Sequence, residues 1–404
     1  MAVIPLMSMM ERFTHFCRSN NLEFWLDWGT LLGQYRQQNI IPWDYDIDVS
    51  MRKSSYTALV NTAELLAPYN LKACLNYYND PAGCFAIIDL ALPTDLVIDV
   101  VCYDHTGHSL ICGMLPEVIA AYPSNYTREP DQIFPLERRP FCGNYVSVPA
   151  NVPAVLTSCY GPTYMTLPPE GVAWPEAKDF TPPFRTLAEC PDENKPYIIR
   201  RDPAFTCSYD DITAAFLAEN AVGMWGYTDI NKVEYEYLAP EVLLAQWLTD
   251  RLTHILVDTE CTQPALFPKA LREKPCYTLT RAGHTTEFHV DPEYGDGWMY
   301  LNRGVKLWWF IAPADWQYLR EKGIPLADLA GKPFTELITL CEGYLWGRIY
   351  IGEMRAGDFL RFPKKWAHRV HTYDKAIGLS GYAVEEAERA ERAERAERAE
   401  RATV

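Results

Sequence analysis

Between Pro162 and Pro203 the chain is dense in prolines, among them Pro168, Pro169, Pro175, Pro182, Pro183, Pro191 and Pro196. Each removes a backbone donor and fixes its own φ, so neither a helix nor a central strand runs through the stretch. Two folding units joined by a linker are expected. With 404 residues, 48% of them hydrophobic, the chain has material for two cores. The expected layout is a first domain over residues 1–175, a proline-rich linker over 176–195, a second domain over 196–382 and a tail over 383–404.

The two units carry different periodicities. Met7 to Asn20 has apolar residues at helical spacing, Leu22 to Trp28 reads as a short strand and Thr30 to Gln38 as a helix. Val97 to Tyr103 is apolar and β-branched around one acid, the pattern of a buried strand. The first unit is therefore expected to be α/β. Past the linker, Asp211 to Asn220 and Pro240 to Leu252 read as helices. From Cys276 to Tyr382 short strands alternate with Gly and Pro turns, an all-β pattern of barrel or sandwich type. The tail repeats Ala-Glu-Arg. Its i,i+4 pairs such as Glu388 with Arg392 support a solvated helix or a frayed end without a catalytic part.

A formal net charge of -16 opposes phosphate backbones, so nucleic acid is not an expected partner. A local pocket can still oppose that sign and take a small anion. No apolar run approaches the ~20 residues that span a bilayer, and Met1 to Met10 lacks the basic start of a secretory signal. The 12 Cys include no Cys-x-x-Cys pair and read as reduced core residues. A cytoplasmic location is expected, or the secretory pathway if the chain is a fragment. One glycosylation sequon, at Asn125, is within chance and carries little weight.

The run Ile41-Pro42-Trp43-Asp44-Tyr45-Asp46-Ile47-Asp48 places two acids two residues apart, with Ile47 between them and Val49 after. In a strand, alternate side chains share a face, so Asp46 and Asp48 point the same way. Asp99, between Ile98 and Val100, offers a third acid from another strand. Carboxylates gathered on one face suit a hard divalent ion, Mg²⁺ or Mn²⁺, beside phosphates. Gly29-Thr30 opens a helix after a strand, where free backbone donors suit a phosphate. By itself an acidic strand edge is as often a solvated loop, and Arg36 is as well placed for a surface ion pair.

The surroundings of these acids resemble the LicD/fukutin family: Trp28-Gly29-Thr30-Leu31-Leu32-Gly33-Gln34-Tyr35-Arg36, then Ile41 to Asp48. The likeness continues through Ile98-Asp99-Val100, Phe134-Pro135-Leu136 and Val146-Ser147-Val148-Pro149 to Leu156 and Tyr160-Gly161, and covers residues 8 to 170. It implies an α/β fold of nucleotidyltransferase type. It also implies transfer of a phosphorylated alcohol, phosphocholine or ribitol phosphate, from a CDP-linked donor to a glycan acceptor. Carried over, Asp46, Asp48 and Asp99 hold the metal and are catalytic, while Gly29, Thr30, Arg36 and Asp44 bind the substrate. The family often has an unbroken acidic triplet after Trp43. Here its middle member is Tyr45, which alternation turns away from Asp46 and Asp48.

In the second unit His289 and Asp291 again lie two apart. Two His and one carboxylate on facial positions are the ligands of non-haem Fe(II). His368 is the expected third ligand, and His371 its rival three residues on. His284 reads as a loop or core histidine. A lone His-x-Asp is usually coincidence. Here Thr286-Glu287-Phe288-His289-Val290-Asp291, Gly304-Val305-Lys306-Leu307-Trp308, Gly357-Asp358 and Trp366-Ala367-His368 together resemble the JmjC-type cupin dioxygenases over residues 196 to 382. That implies a double-stranded β-helix, Fe(II) at His289, Asp291 and His368, and 2-oxoglutarate as co-substrate bound by Lys306 and Thr286. A charge that protects an edge strand is the other reading of Lys306.

The leading expectation is a bifunctional enzyme, a phosphotransferase joined to an Fe(II)/2-oxoglutarate hydroxylase whose substrate no motif marks. The alternative is the same transferase with a cupin that only binds. A third, in which the first unit is a mere scaffold, fits less well because all three expected acids are present.

Overall fold

Ile47, Val49, Ile98 and Val100 have no accessible surface, and they fix where the first sheet lies. They alternate with Asp46, Asp48 and Asp99, so the apolar face of two neighbouring strands is sealed while the acidic face stays open. The structure is a computed structural model. It describes residues 3–78, 83–92, 96–106, 109–113, 119–120, 126–165, 182–189, 191–192, 194–200, 223–229, 232–234, 254–258, 276–291 and 295–383. The helices expected at Asp211–Asn220 and Pro240–Leu252, the sequon at Asn125, linker residues 176–181 and the tail beyond 383 lie outside the described residues. The chain divides into two compact units, Met1–Phe184 with Lys332–Gly347, and Arg185–Gly331 with Arg348–Val404.

The first unit is α/β. Its strands are β1 (Trp25–Leu26), β2 (Asp46–Arg52), β3 (Leu71–Cys74), β4 (Cys84–Asp89), β5 (Val97–Thr106), β6 (Ser109–Cys112), β7 (Thr127–Arg128), β8 (Glu137–Phe141) and β9 (Asn144–Val148). One mixed sheet runs β1-β2-β5-β4-β3, with β6 and β7 added beyond β5, and β8–β9 form a separate hairpin. Helix α1 (Val3–Ser19) buries Leu6, Met9, Met10, Phe13, Phe16 and Cys17, a stripe at helical spacing. Helix α2 (Trp28–Gln37) begins two residues before the expected Thr30. The strand expected over Leu22 to Trp28 pairs only at Trp25 and Leu26, because Asp27 leaves it to cap α2. Helices α3 (Lys53–Asn61), α4 (Pro130–Ile133) and α5 (Val152–Tyr160) complete the unit's first segment. Among the described residues, no helix is long and apolar enough to cross a membrane.

The second unit is β-rich. Its strands are β10 (Arg185–Thr186), β11 (Tyr197–Ile199), β12 (Gly223–Asp229), β13 (Lys232–Glu234), β14 (His254–Asp258), β15 (Cys276–Thr280), β16 (Thr285–His289), β17 (Asp296–Ile311), β18 (Ile349–Arg355), β19 (Phe359–Phe362) and β20 (Ala367–Ala383). They join in one sheet built on two long strands. β17 pairs with β20 along one side, and with β19 and then β18 along the other. Register shifts near Leu301, Arg303 and Val305 bend β17 between those partners. Leu301, Trp308, Phe310, Met354, Leu360 and Phe362 form the core inside the bend. Helix α6 (Pro313–Glu321) follows β17.

Sequence order gives no hint of the return to the first unit by residues 332–347. Helix α7 (Phe334–Leu340) in this segment is tied to α1 through Glu11. The Glu11 carboxylate accepts from the Phe334 N–H at 2.8 Å and from the Thr335 hydroxyl at 3.2 Å. The Phe334 ring lies edge-on to Phe184 and covers the turn of the β8–β9 hairpin at Gly143. Gly143 has φ of 78°, and a Cβ there would meet the Phe334 ring at 2.3 Å, so the position takes only glycine.

Candidate metal centres

Parallel pairing of β2 with β5 sets Asp48 directly beside Asp99, and Asp46 beside Val97. The structure brings Asp46, Asp48 and Asp99 together, one carboxylate oxygen from each lying within 4.8 Å of the others. Asp44 joins them from the loop before β2. A Cβ at Gly29 would sit 3.0 Å from the Asp44 carboxylate and 3.4 Å from that of Asp48, so a side chain there would push into the acids. Tyr45 is 63% exposed just ahead of the strand.

Two residues at the start of α2 fix Asp48. The Gly29 N–H donates to its carboxylate at 3.1 Å, and the Asp48 N–H donates to the Thr30 hydroxyl oxygen at 2.8 Å. This corrects the expectation of a free N–H at Gly29 for phosphate. That donor is spent on the acid cluster because the helix start abuts β2. Arg36 lies in the last turn of α2 and donates to the Tyr164 carbonyl. The Tyr78 hydroxyl donates to both oxygens of Asp99 at 2.8 Å.

The acids repel one another. Burial, then Asp46, Asp99, Asp44 and Asp27, push the Asp48 pKa well above the carboxylate range. Burial, then the Asp46 charge and hydrogen bond, raise Asp44 to about 7. Burial raises Asp99 to about 6, with Asp46 adding to it and the Tyr78 hydrogen bond opposing it. Such a cluster fits a divalent cation, which replaces the missing protons and removes the repulsion.

A cavity of about 290 Å³ opens beside the acids. Trp28, Tyr78 and Tyr126 form aromatic walls, Asp48 and Asp99 one side, and Val101 and Cys84 an apolar lining. Trp28 has φ of 39°, a left-handed conformation rare for a bulky residue. Neither that conformation nor the approach of Tyr78 and Tyr126 has a signal in the sequence.

In the second unit His289, Asp291 and His368 come together, with one ligand atom of each within 4.8 Å of the others. His289 and His368 are direct partners across β16 and β20. The Nε2 atoms lie 3.3 and 3.7 Å from the two Asp291 oxygens. The Nδ1 of His289 lies 2.7 Å from the Glu287 carbonyl, and the Nδ1 of His368 lies 3.3 Å from that of Trp366. A carbonyl only accepts, so each Nδ1 carries a proton and each Nε2 is the ring atom turned toward Asp291. Burial, then His289, lower the His368 pKa to about 4 against the pull of Asp291, which keeps this ring neutral. Burial works to lower His289, but Asp291 and the Glu287 carbonyl outweigh it. His371 stands elsewhere, 2.7 Å from the Thr285 hydroxyl.

Strict alternation would put Thr286 and His289 on opposite faces. A register shift between Thr286 and His289 changes that relation. Thr286 Oγ lies 3.4 Å from His284 Nε2. Lys306 is 3% exposed on a strand paired on both sides, so the edge-strand reading is overturned. Its ammonium donates to the hydroxyls of Thr280 at 3.0 Å and Thr372 at 3.2 Å. No carboxylate among the described residues bonds to it, and burial lowers its pKa to about 7. Lys306 pairs with Thr372, Trp308 with Val370 and Phe310 with His368, so regular alternation carries one face of β17 and β20 from the lysine to the histidine. Between them the Trp308 indole N–H is buried without an acceptor among the described residues. Thr280, Thr372 and Trp308 escape sequence reading because each looks like an ordinary strand residue.

The first unit is thus an α/β domain with a carboxylate cluster on the open face of its sheet. Residues 21–151 match the family model described as LicD/FKTN/FKRP, nucleotidyltransferase domain. A 48-residue stretch is 38% identical to the uncharacterized protein RP689 of Rickettsia prowazekii (strain Madrid E), covering 12% of this chain and 18% of that protein. A solved structure described as the X-ray structure of E. coli ycfD aligns over 46% of this chain and 49% of that one, at 16% identity and a TM-score of 0.29. The chain therefore spans less than half the length of either.

Proposed function

We propose that the chain is a bifunctional enzyme whose first unit moves a phosphorylated alcohol from a CDP-linked donor to a glycan hydroxyl. The pairing of Asp48 with Asp99 in one register, with Asp46 on the same face, carries this reading. Mg²⁺ or Mn²⁺ held by these acids would neutralise charge on the transferring phosphate and align it for displacement. The acceptor hydroxyl gives up its proton to solvent as its oxygen bonds to that phosphorus, the bond from phosphorus to the CMP oxygen breaks, and CMP leaves. Gly29 and Thr30 hold Asp48 in place. Arg36 supplies positive charge toward the donor phosphates. The aromatic walls Trp28, Tyr78 and Tyr126 favour a quaternary ammonium over a polyol, hence phosphocholine over ribitol phosphate. The test is turnover of a panel of CDP-alcohols. CMP release from CDP-choline well above that from CDP-ribitol is expected, and the reverse preference contradicts the assignment of the alcohol.

The second unit, in this proposal, is a JmjC-like cupin with a double-stranded β-helix that hydroxylates a substrate. Its support is the pair of Nε2 atoms facing Asp291 together with a buried lysine to which no carboxylate among the described residues bonds. Fe(II) at His289, Asp291 and His368 would couple 2-oxoglutarate and O₂ to oxidation of a C–H bond. Lys306 and Thr286 bind the distal carboxylate of 2-oxoglutarate, and the Trp308 N–H offers a further donor. Succinate release that depends on Fe(II) is expected. A protein with all three ligands intact that neither binds Fe(II) nor consumes 2-oxoglutarate is instead a transferase with a binding module.

A further inference from the structure

Behind the acid cluster lies a charge pair that the transfer reaction does not use. Asp27 has no accessible surface, and Arg128 has 1%. The Asp27 carboxylate accepts from the Trp28 N–H and from the Ser50 hydroxyl, both at 3.0 Å, and lies 3.8 Å from the Arg128 guanidinium. Arg128 comes from β7 and donates to the Cys159 sulfur on α5 at 3.0 Å. An isolated buried charge is costly, so removing either partner leaves the other stranded.

What the pair holds is the start of α2. The Asp27 N–H donates to the Asp48 carbonyl at 3.2 Å, and the Asp27 carbonyl accepts from the Leu31 N–H at 2.9 Å. Asp27 therefore stands between the strand that carries Asp48 and the helix whose first residues grip it. Its carboxylate caps Trp28 in the left-handed conformation, and the next two residues are Gly29 and Thr30, both bonded to Asp48.

We propose that Asp27 and Arg128 are positioning residues that set the metal affinity of the acid cluster by fixing the α2 start against Asp48. This rests on the reading of Asp46, Asp48 and Asp99 as a divalent-cation site. Groups that orient a ligand in this way change metal affinity by roughly 10–100-fold when removed.

The test is Mn²⁺ titration of the 404-residue chain, followed by electron paramagnetic resonance, in a His368→Ala background so that only the acid cluster binds. Thermal unfolding without metal is measured in parallel. Asp27→Asn and Arg128→Met are expected to raise the Mn²⁺ Kd roughly 10–100-fold, with Arg128→Lys restoring part of it. Ser50→Ala leaves no charge unpaired and is expected to raise Kd a few-fold, so it serves if the charge variants do not fold. A purely structural role lowers the melting temperature and leaves the Kd of folded variants at the background value, which overturns the proposal. If Mn²⁺ binds the background protein no better than an added Asp48→Asn variant, the metal reading fails and takes the proposal with it.

Discussion

Asp48 and Asp99 are direct partners across the parallel β2–β5 ladder, so their carboxylates leave the same face of the sheet from adjacent strands. Strands in that direction are spaced by about 4.8 Å, too close for two carboxylates to stay ionised without a neighbouring cation. The repulsion has a measurable sign. Asp44 and Asp99 have folded pKa values raised to about 7 and about 6. Acids raised on folding bind more protons folded than unfolded, so their contribution is fully present below about pH 4 and lost as pH rises to about 7. A divalent cation should restore stability where that loss is complete. Mg²⁺ is expected to raise the melting temperature by several degrees at pH 8 and by little at pH 5. Equal increments at both pH values would argue against a cation among these acids.

Lys306 is buried on two threonine hydroxyls with no carboxylate bonded to it among the described residues. Lys306→Met should therefore stabilise the ligand-free chain, on the order of 1–3 kcal/mol, while removing the anion's partner. That corresponds to a melting temperature higher by roughly 2–4 °C per kcal/mol. Succinate formation is expected to fall roughly 10–100-fold, mainly through KM for 2-oxoglutarate. Calorimetric melting and succinate assays on the same preparation check both halves.

The two candidate histidines on β20 separate cleanly. His368 faces Asp291 and His289, while His371 is bonded to Thr285. His368→Ala is expected to abolish Fe(II) binding, and His371→Ala to keep at least half of the wild-type Fe(II) stoichiometry. Anaerobic Fe(II) titration distinguishes them, and equal losses from both variants would remove the special standing of His368.

Residues 332–347 belong to the first unit, so a fragment ending at 184 lacks part of its own core. Phe334 is 1% exposed and packs on Phe184 and Gly143. Phe334→Ala is expected to cost about 3–5 kcal/mol, and a 1–184 fragment to unfold at a lower temperature than the first transition of the whole chain. Differential scanning calorimetry checks this, and an unchanged first transition in either protein would contradict it.

The acid cluster was legible because alternation is strict in β2 and β5: Ile47, Val49, Ile98 and Val100 point inward and the acids between them point outward. The histidine site was legible from the His289-x-Asp291 spacing and the Trp366-Ala367-His368 run, although Asp291 lies beyond the end of β16. Other features depend on contacts that no local pattern carries. The register shift in β16 changes the relation of Thr286 to His289. The return of α7 to the first unit rests on Glu11, more than three hundred residues earlier. Asp27 ends β1 and starts α2 early because its side chain finds Ser50 and Arg128, which sequence spacing cannot reveal.

Two independent centres in one chain is the central claim, and parallel turnover measurements on paired variants test it most directly. CMP release from CDP-choline with Mg²⁺ and succinate release with Fe(II) are measured for wild type, for Asp46→Ala with Asp48→Ala, and for His289→Ala. The expected result is loss of CMP release alone in the aspartate variant and loss of succinate release alone in the histidine variant. Loss of both activities together in either well-folded variant, or of neither, would contradict it.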